Sequence, residues 1–175
     1  MYVVAGHKGQ PAKVVAQGRR GRRRRLKGQR GRGTAQNEKP PILGMIQRGG
    51  AVVLRMLENV QQTTIQPIIQ AQVLPGTQVY TDEYNIYSRL SKWGYAHKTV
   101  NHSHGEYARD EDGDGFHEVH VNTIEGVWSL LRSWLRPHRG ISQEKLPLYL
   151  GFFEFIHNVR VRGKALLPSL LALLL

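Results

Sequence analysis

Apolar positions along the chain change their period from one segment to the next. "YVVAGHKG" (Tyr2 to Gly9) is a short β-branched run ending in glycine and predicts a first strand within residues 1–9. After Pro40-Pro41, "ILGMIQ" and "AVVLRML" are two further strand candidates, joined as a hairpin through Arg48-Gly49-Gly50. The period then lengthens. In "TTIQPIIQAQVL" (Thr63 to Leu74), Ile65, Ile68, Ile69 and Val73 fall on one helical face; Pro67 suits the first turn and Pro75-Gly76 ends the helix. "TQVYTDEY" returns to strand character, "NIYSRLSKWGY" reads as a short helix or turn, and "HKTVNH" reads as another strand.

The acidic loop "RDEDGDG" leads into "HVNTIEGVWSLLRSWLR", where Ile124, Trp128, Leu131 and Leu135 lie close to helical spacing before Pro137. A final helix is expected over about Ser142 to Arg160. This order predicts an α/β layered domain with a mixed sheet.

At 175 residues, one domain with a real core is expected. The absence of cysteine excludes disulfides and thiolate metal sites. The opening Met1 to His7 lacks the apolar run of a signal peptide. The tail "ALLPSLLALLL" (Ala165 to Leu175) is apolar, but Pro168 interrupts it and it is roughly half of the ~20 residues a membrane span requires. A packing or partner-binding tail over residues 163–175 is expected, and no membrane partner.

Charge changes the picture more than composition does. The net +12 resides in the first 48 residues, where 13 Lys and Arg face one acid, Glu38; the remainder is balanced. "GRRGRRRRLKGQRGRG" (Gly18 to Gly33) is too charged to pack and reads as a disordered insertion after the first strand. Arg19, Arg20, Arg22, Arg23, Arg24, Arg25, Arg30 and Arg32, with Lys27, offer a density of cations suited to phosphates. A solvated linker is the bland alternative, and sequence-independent nucleic-acid contact is the favoured reading.

Several residues carry candidate chemistry. Asp82 and Glu83 close a strand, where a polar surface end and a functional acid both fit; alternation along the strand sends the two opposite ways, so Glu83 is expected to point elsewhere. Glu125 follows Asn122 by three residues, so the pair reads either as a capping box or as a helix turn aiming Glu125 at a site. Arg132 lies two helical turns on, at a similar face. "DEDGDG" (Asp110 to Gly115) copies the start of a calcium loop, but its twelfth position is Val121, which favours a flexible acidic loop. His97, His102, His104, His117 and His120 cluster without a zinc signature, favouring surface or phosphate-facing roles.

Taken in order, "VYTDEY", "HKTVNHSHGEYAR", "HVNTIEGVWSLLRSWLR" and "YLGFFEFIHNVR" resemble bacterial insertion-sequence transposases of the DDE type, in the branch with ISXO2-like transposase domains. "GRGT" and "PPILGMIQRGG" extend the resemblance upstream, so that it covers nearly the whole chain.

The resemblance implies a ribonuclease-H-like fold over residues 1–162. It also implies two divalent ions, Mg2+ or Mn2+, held by three acids that cleave and join DNA at transposon ends. Asp82 matches the second acid and Glu125 the third. Arg132 matches a basic DNA-contacting position, and Asn122 a position where some branches carry an alternative third ligand. Partners implied are double-stranded DNA, both transposon ends and target, and further copies of the chain. The implied location is cytoplasmic, at the nucleoid. The first acid would precede the opening strand, yet residues 1–37 contain no Asp or Glu, so an N-terminally truncated transposase with impaired catalysis is expected. The rival expectation is a non-enzymatic nucleic-acid-binding protein that acts through its arginine arm.

Overall fold

A computed structural model describes residues 1–3, 5–6, 11–16, 39–138 and 140–163. The arginine-rich segment 18–33, with every basic residue singled out there, and the apolar tail from residue 164 lie outside the described residues. The chain divides into two compact units, Met1–Glu58 with Leu130–Leu175, and Asn59–Ser129.

In the first unit, β1 (Ala5–Gly6) and a short α1 (Pro11–Ala16) precede the hairpin of β2 (Ile42–Ile46) and β3 (Val52–Met56). The hairpin is antiparallel, with Gly44 opposite Leu54, and Gly49 supplies the positive φ of 67° that its turn requires. Tyr2 bridges antiparallel to Pro41, which places the chain start beside β2.

In the second unit, α2 (Gln62–Gln72) precedes β4 (Gln78–Asp82), which pairs in parallel with β5 (Ala96–Val100). A small antiparallel pair, β6 (Ala108–Arg109) with β7 (Val119–His120), encloses the acidic loop. α3 (Asn122–Leu135) begins in this unit and ends in the other. β8 (Ile141–Ser142) then pairs in parallel with β1, and α4 (Leu146–Arg162) ends the described chain.

The architecture is a mixed α/β one, with parallel and antiparallel pairs. Among the described residues the strands hydrogen-bond two by two instead of forming one continuous sheet. The two-residue lengths of β1, β6, β7 and β8 leave few ladder bonds with which to join a third strand.

Each unit buries its own apolar residues. Ile42, Leu54, Leu131, Leu146 and Leu150 are buried in the first; Ile65, Ile69, Leu90, Val100, Val119 and Val127 are buried in the second. At the outer side of β3, Asn158 of α4 accepts from the Val52 amide (2.7 Å) and donates to its carbonyl (2.9 Å). One turn earlier, Glu154 accepts from the Leu54 amide and pairs with Arg55, both at 2.9 Å.

Two expectations need correction. Pro67 is the sixth residue of α2, not part of its first turn, because the helix opens at Gln62 with the Gln61 carbonyl accepting from Ile65. The missing N–H leaves a carbonyl of the preceding turn without its helical donor, and the exposed position of Pro67 lets water replace it. α4 starts at Leu146, not near Ser142, because Ser142 belongs to β8 and its hydroxyl accepts from the Lys145 amide.

Candidate functional site

The second unit holds both acids singled out in the sequence. Asp82 is the exposed last residue of β4, level with Val100 of β5. Its Oδ1 accepts from the Tyr84 amide at 3.2 Å, an Asx turn that leads the chain off the sheet. Glu125 lies in the first turn of α3, its side chain 53% exposed. Glu125 therefore keeps its carboxylate available to water or a ligand.

Glu83 does not point away from this region as alternation suggested. Its two oxygens accept from the amides of His102 and Ser103, at 3.1 and 3.2 Å. Hydrogen bonds from its own amide and from those two hold the Glu83 carboxyl below the usual carboxylate range. The turn over His102–His104 that it grips is also capped from within, because Asn101 Oδ1 accepts from the His104 amide and the Ser103 hydroxyl.

His102 then meets Glu125. Its Nδ1 is 3.8 Å from Glu125 Oε1, while its Nε2 is buried without a hydrogen-bond partner. The ring packs edge-on against Tyr107, with centroids 5.3 Å apart. The strand end and the helix start are thus linked through one histidine: Glu83 holds its backbone, and its ring faces Glu125.

Deeper in the strand pair, His97 Nε2 and Thr81 Oγ1 share a hydrogen bond of 2.8 Å, and burial pushes the His97 pKa down. Glu83 and His102 were not singled out together in the sequence; the usable signal was the Asn-His-Ser-His turn immediately after β5.

The acidic loop is built differently. Asp110, Asp112 and Glu118 bring ligand atoms within 4.8 Å of one another. Asp110 Oδ1 and Oδ2 accept from the amides of Gly113 (2.7 Å) and Gly115 (2.9 Å), Asp112 from Asp114 (3.2 Å), and Asp114 from Phe116 (2.7 Å). Those amides lower the Asp110 pKa. Glu111 pairs with Lys98 and Arg109, and Arg109 also pairs with Glu106. Among the described residues no histidine joins this group of close potential ligands.

Asn122 opens α3 and is exposed, and the Val121 carbonyl accepts from the Glu125 amide. Arg132 is exposed in the last turn of α3, in the part of the helix that belongs to the first unit.

Asp82 and Glu125 are hard oxygen donors of the type that divalent cations prefer. Among the described residues, neither belongs to a set of three donors within 4.8 Å, and residues 1–37 offer no carboxylate. Each of the two carboxylates offers oxygens suited to a hard divalent ion.

The sheet pairing, the acid at the end of β4 and the acid in the first turn of α3 describe a chain whose residues 15–158 match the ISXO2-like transposase domain family, and the chain belongs to that family. The chain is 34% identical over 173 residues to an uncharacterized protein in transposable element ISH50 of Halobacterium salinarum, covering 97% of this chain and 54% of that one. It is also 31% identical over 103 residues to an uncharacterized transposase-like protein of Haemophilus influenzae, covering 59% of this chain and 77% of that one. The chain thus spans about half the length of the Halobacterium relative. No solved structure matches it. Among the described residues, no helix is long and apolar enough to cross a membrane.

Proposed function

We propose that the chain is a ribonuclease-H-like DDE transposase core acting on the phosphodiester bonds of transposon ends. The supporting observation is the family match over residues 15–158 together with Asp82 and Glu125 in one compact unit, at the end of a parallel strand and the start of a helix. Divalent ions, Mg2+ or Mn2+, would supply activation of the attacking oxygen and stabilisation of the leaving one. Asp82 and Glu125 would provide oxygens to hold them. Arg132 would pair with a DNA phosphate, and Asn122 stands in reserve as an oxygen donor beside Glu125. Copies of the chain would act together on paired ends, at the nucleoid.

Two carboxylates bind two like-charged ions poorly, so the 175 residues by themselves would turn over slowly. The test is cleavage of duplex DNA carrying an insertion-sequence end, with Mg2+ or Mn2+. Weak cleavage that disappears in Asp82→Asn and Glu125→Gln is expected. Robust turnover indifferent to both substitutions would overturn the reading.

The charge of the first 48 residues favours a second reading, nucleic-acid binding without catalysis. Arg22, Arg23, Arg24 and Arg25 changed together to Ala should weaken DNA binding. The log–log salt slope should shrink by about 3.6, at about 0.9 for each phosphate no longer neutralised. If that binding survives loss of both acids while no metal-dependent cleavage is detected, the second reading stands alone.

A further inference from the structure

We infer that His102 is a positioning residue for Glu125 and carries its ring proton on Nδ1. The inference rests on the reading of Glu125 as an acid of the DNA-cleaving site.

The two ring nitrogens face unlike surroundings. Nδ1 stands 3.8 Å from Glu125 Oε1, just beyond hydrogen-bond reach but close enough for a directed dipole to attract the charge; Nε2 is buried with no partner. A carboxylate can only accept, so the nitrogen that faces it gains by bearing the hydrogen. The other tautomer would bury a donor with nothing to receive it and aim a lone pair at a negative charge.

The backbone of the turn is held at two points and the ring at one. Glu83 fixes the amides of His102 and Ser103, Asn101 caps the turn, and Tyr107 closes on the ring edge. Glu125 is the looser partner, half exposed on its helix. A fixed N–H beside it narrows the orientations its carboxylate samples, which lowers the ordering cost when a cation binds.

The closing experiment has two arms. In the metal-free full chain under mildly alkaline conditions, long-range 1H–15N correlation should show His102 as the Nδ1–H tautomer, and Glu125→Ala should move it towards Nε2–H. An Nε2–H ring in the unsubstituted protein, or a tautomer indifferent to Glu125→Ala, overturns the inference.

In the second arm, calorimetry with Mn2+ isolates the component of binding that Glu125→Gln removes. His102→Ala should weaken that component about tenfold, the lower end of what outer-sphere partners contribute. His102→Asn, whose side-chain amide can replace the Nδ1–H, should restore most of it. Equal loss in both variants overturns the positioning role. If the unsubstituted chain has no Glu125-dependent Mn2+ binding, the active-site reading falls, while the tautomer still decides the placement of the proton.

Discussion

Two acidic regions of the Asn59–Ser129 unit use their oxygens in opposite ways. Between Asp110 and Glu118 the carboxylates mostly serve their own loop: Asp110, Asp112 and Asp114 accept from backbone amides, and Lys98 and Arg109 neutralise Glu111. Around the ends of β4 and α3 there are fewer acids, and they divide their tasks. Glu83 is committed to the His102–Ser103 amides, and Glu125 is left half exposed with an imidazole beside it. The number of acids in a stretch therefore says less about chemistry than the number of their oxygens left over once the backbone has been satisfied.

The sharpest way to break this comparison is to neutralise one acid from each side and measure Mn2+ affinity. Glu125→Gln is expected to reduce it at least as much as the roughly 10–100-fold that loss of an outer partner costs. Asp112→Asn is expected to leave the Glu125-dependent component unchanged. The reverse ranking would move the metal site to the loop.

Removing Glu83 should act on structure before chemistry. Glu83→Ala withdraws the acceptor of two amides, so hydrogen exchange at His102 and Ser103 should accelerate and the melting temperature should fall. Asp112→Ala, which withdraws one amide acceptor at an exposed position, should lower it less.

Acid should weaken both regions. The carboxyls of Glu83, Glu106, Asp110 and Glu111 all have lowered pKa values. A depressed carboxyl contributes stability that is fully present above its unfolded value and is lost as pH falls through its folded value. Circular dichroism on acid titration should therefore show stability flat at neutral pH and declining below the ordinary carboxylate range. A loss that begins at neutral pH would point to the histidines instead.

The smallest expected effect is that of salt. The exposed pairs of Lys98 and Arg109 with Glu111 should screen away with little change in melting temperature, whereas the amide-bound Glu83 should hardly respond.

The sequence pattern was a reliable guide where a segment's period matched its burial. The hairpin of β2 and β3 and the helix α3 stand where the sequence pattern put them, because each buries apolar side chains; β4 and β5 also form as strands, held by their parallel ladder with Val100 as their buried residue. It failed at the ends of elements. Pro67 falls inside α2 and Ser142 outside α4, since helix starts depend on which carbonyl or hydroxyl meets the first amides.

The placement of Asp82 and Glu125 at element ends could be read from the order of motifs. The part played by Glu83 could not. Alternation applies within a strand, and Glu83 is already past the last residue of β4, where the Asx turn at Asp82 resets its direction. The link from His102 to Glu125 spans more than twenty residues and rests on the turn after β5, which no local pattern specifies.

The clasp of Asn158 and Glu154 along β3 has a consequence for solution behaviour. A strand with open outward amides and carbonyls is a template on which another chain can add itself, the usual route to runaway self-association. Here a helix occupies that row with side-chain groups, which an incoming strand would have to evict. That row is therefore closed to strand addition from a neighbouring molecule.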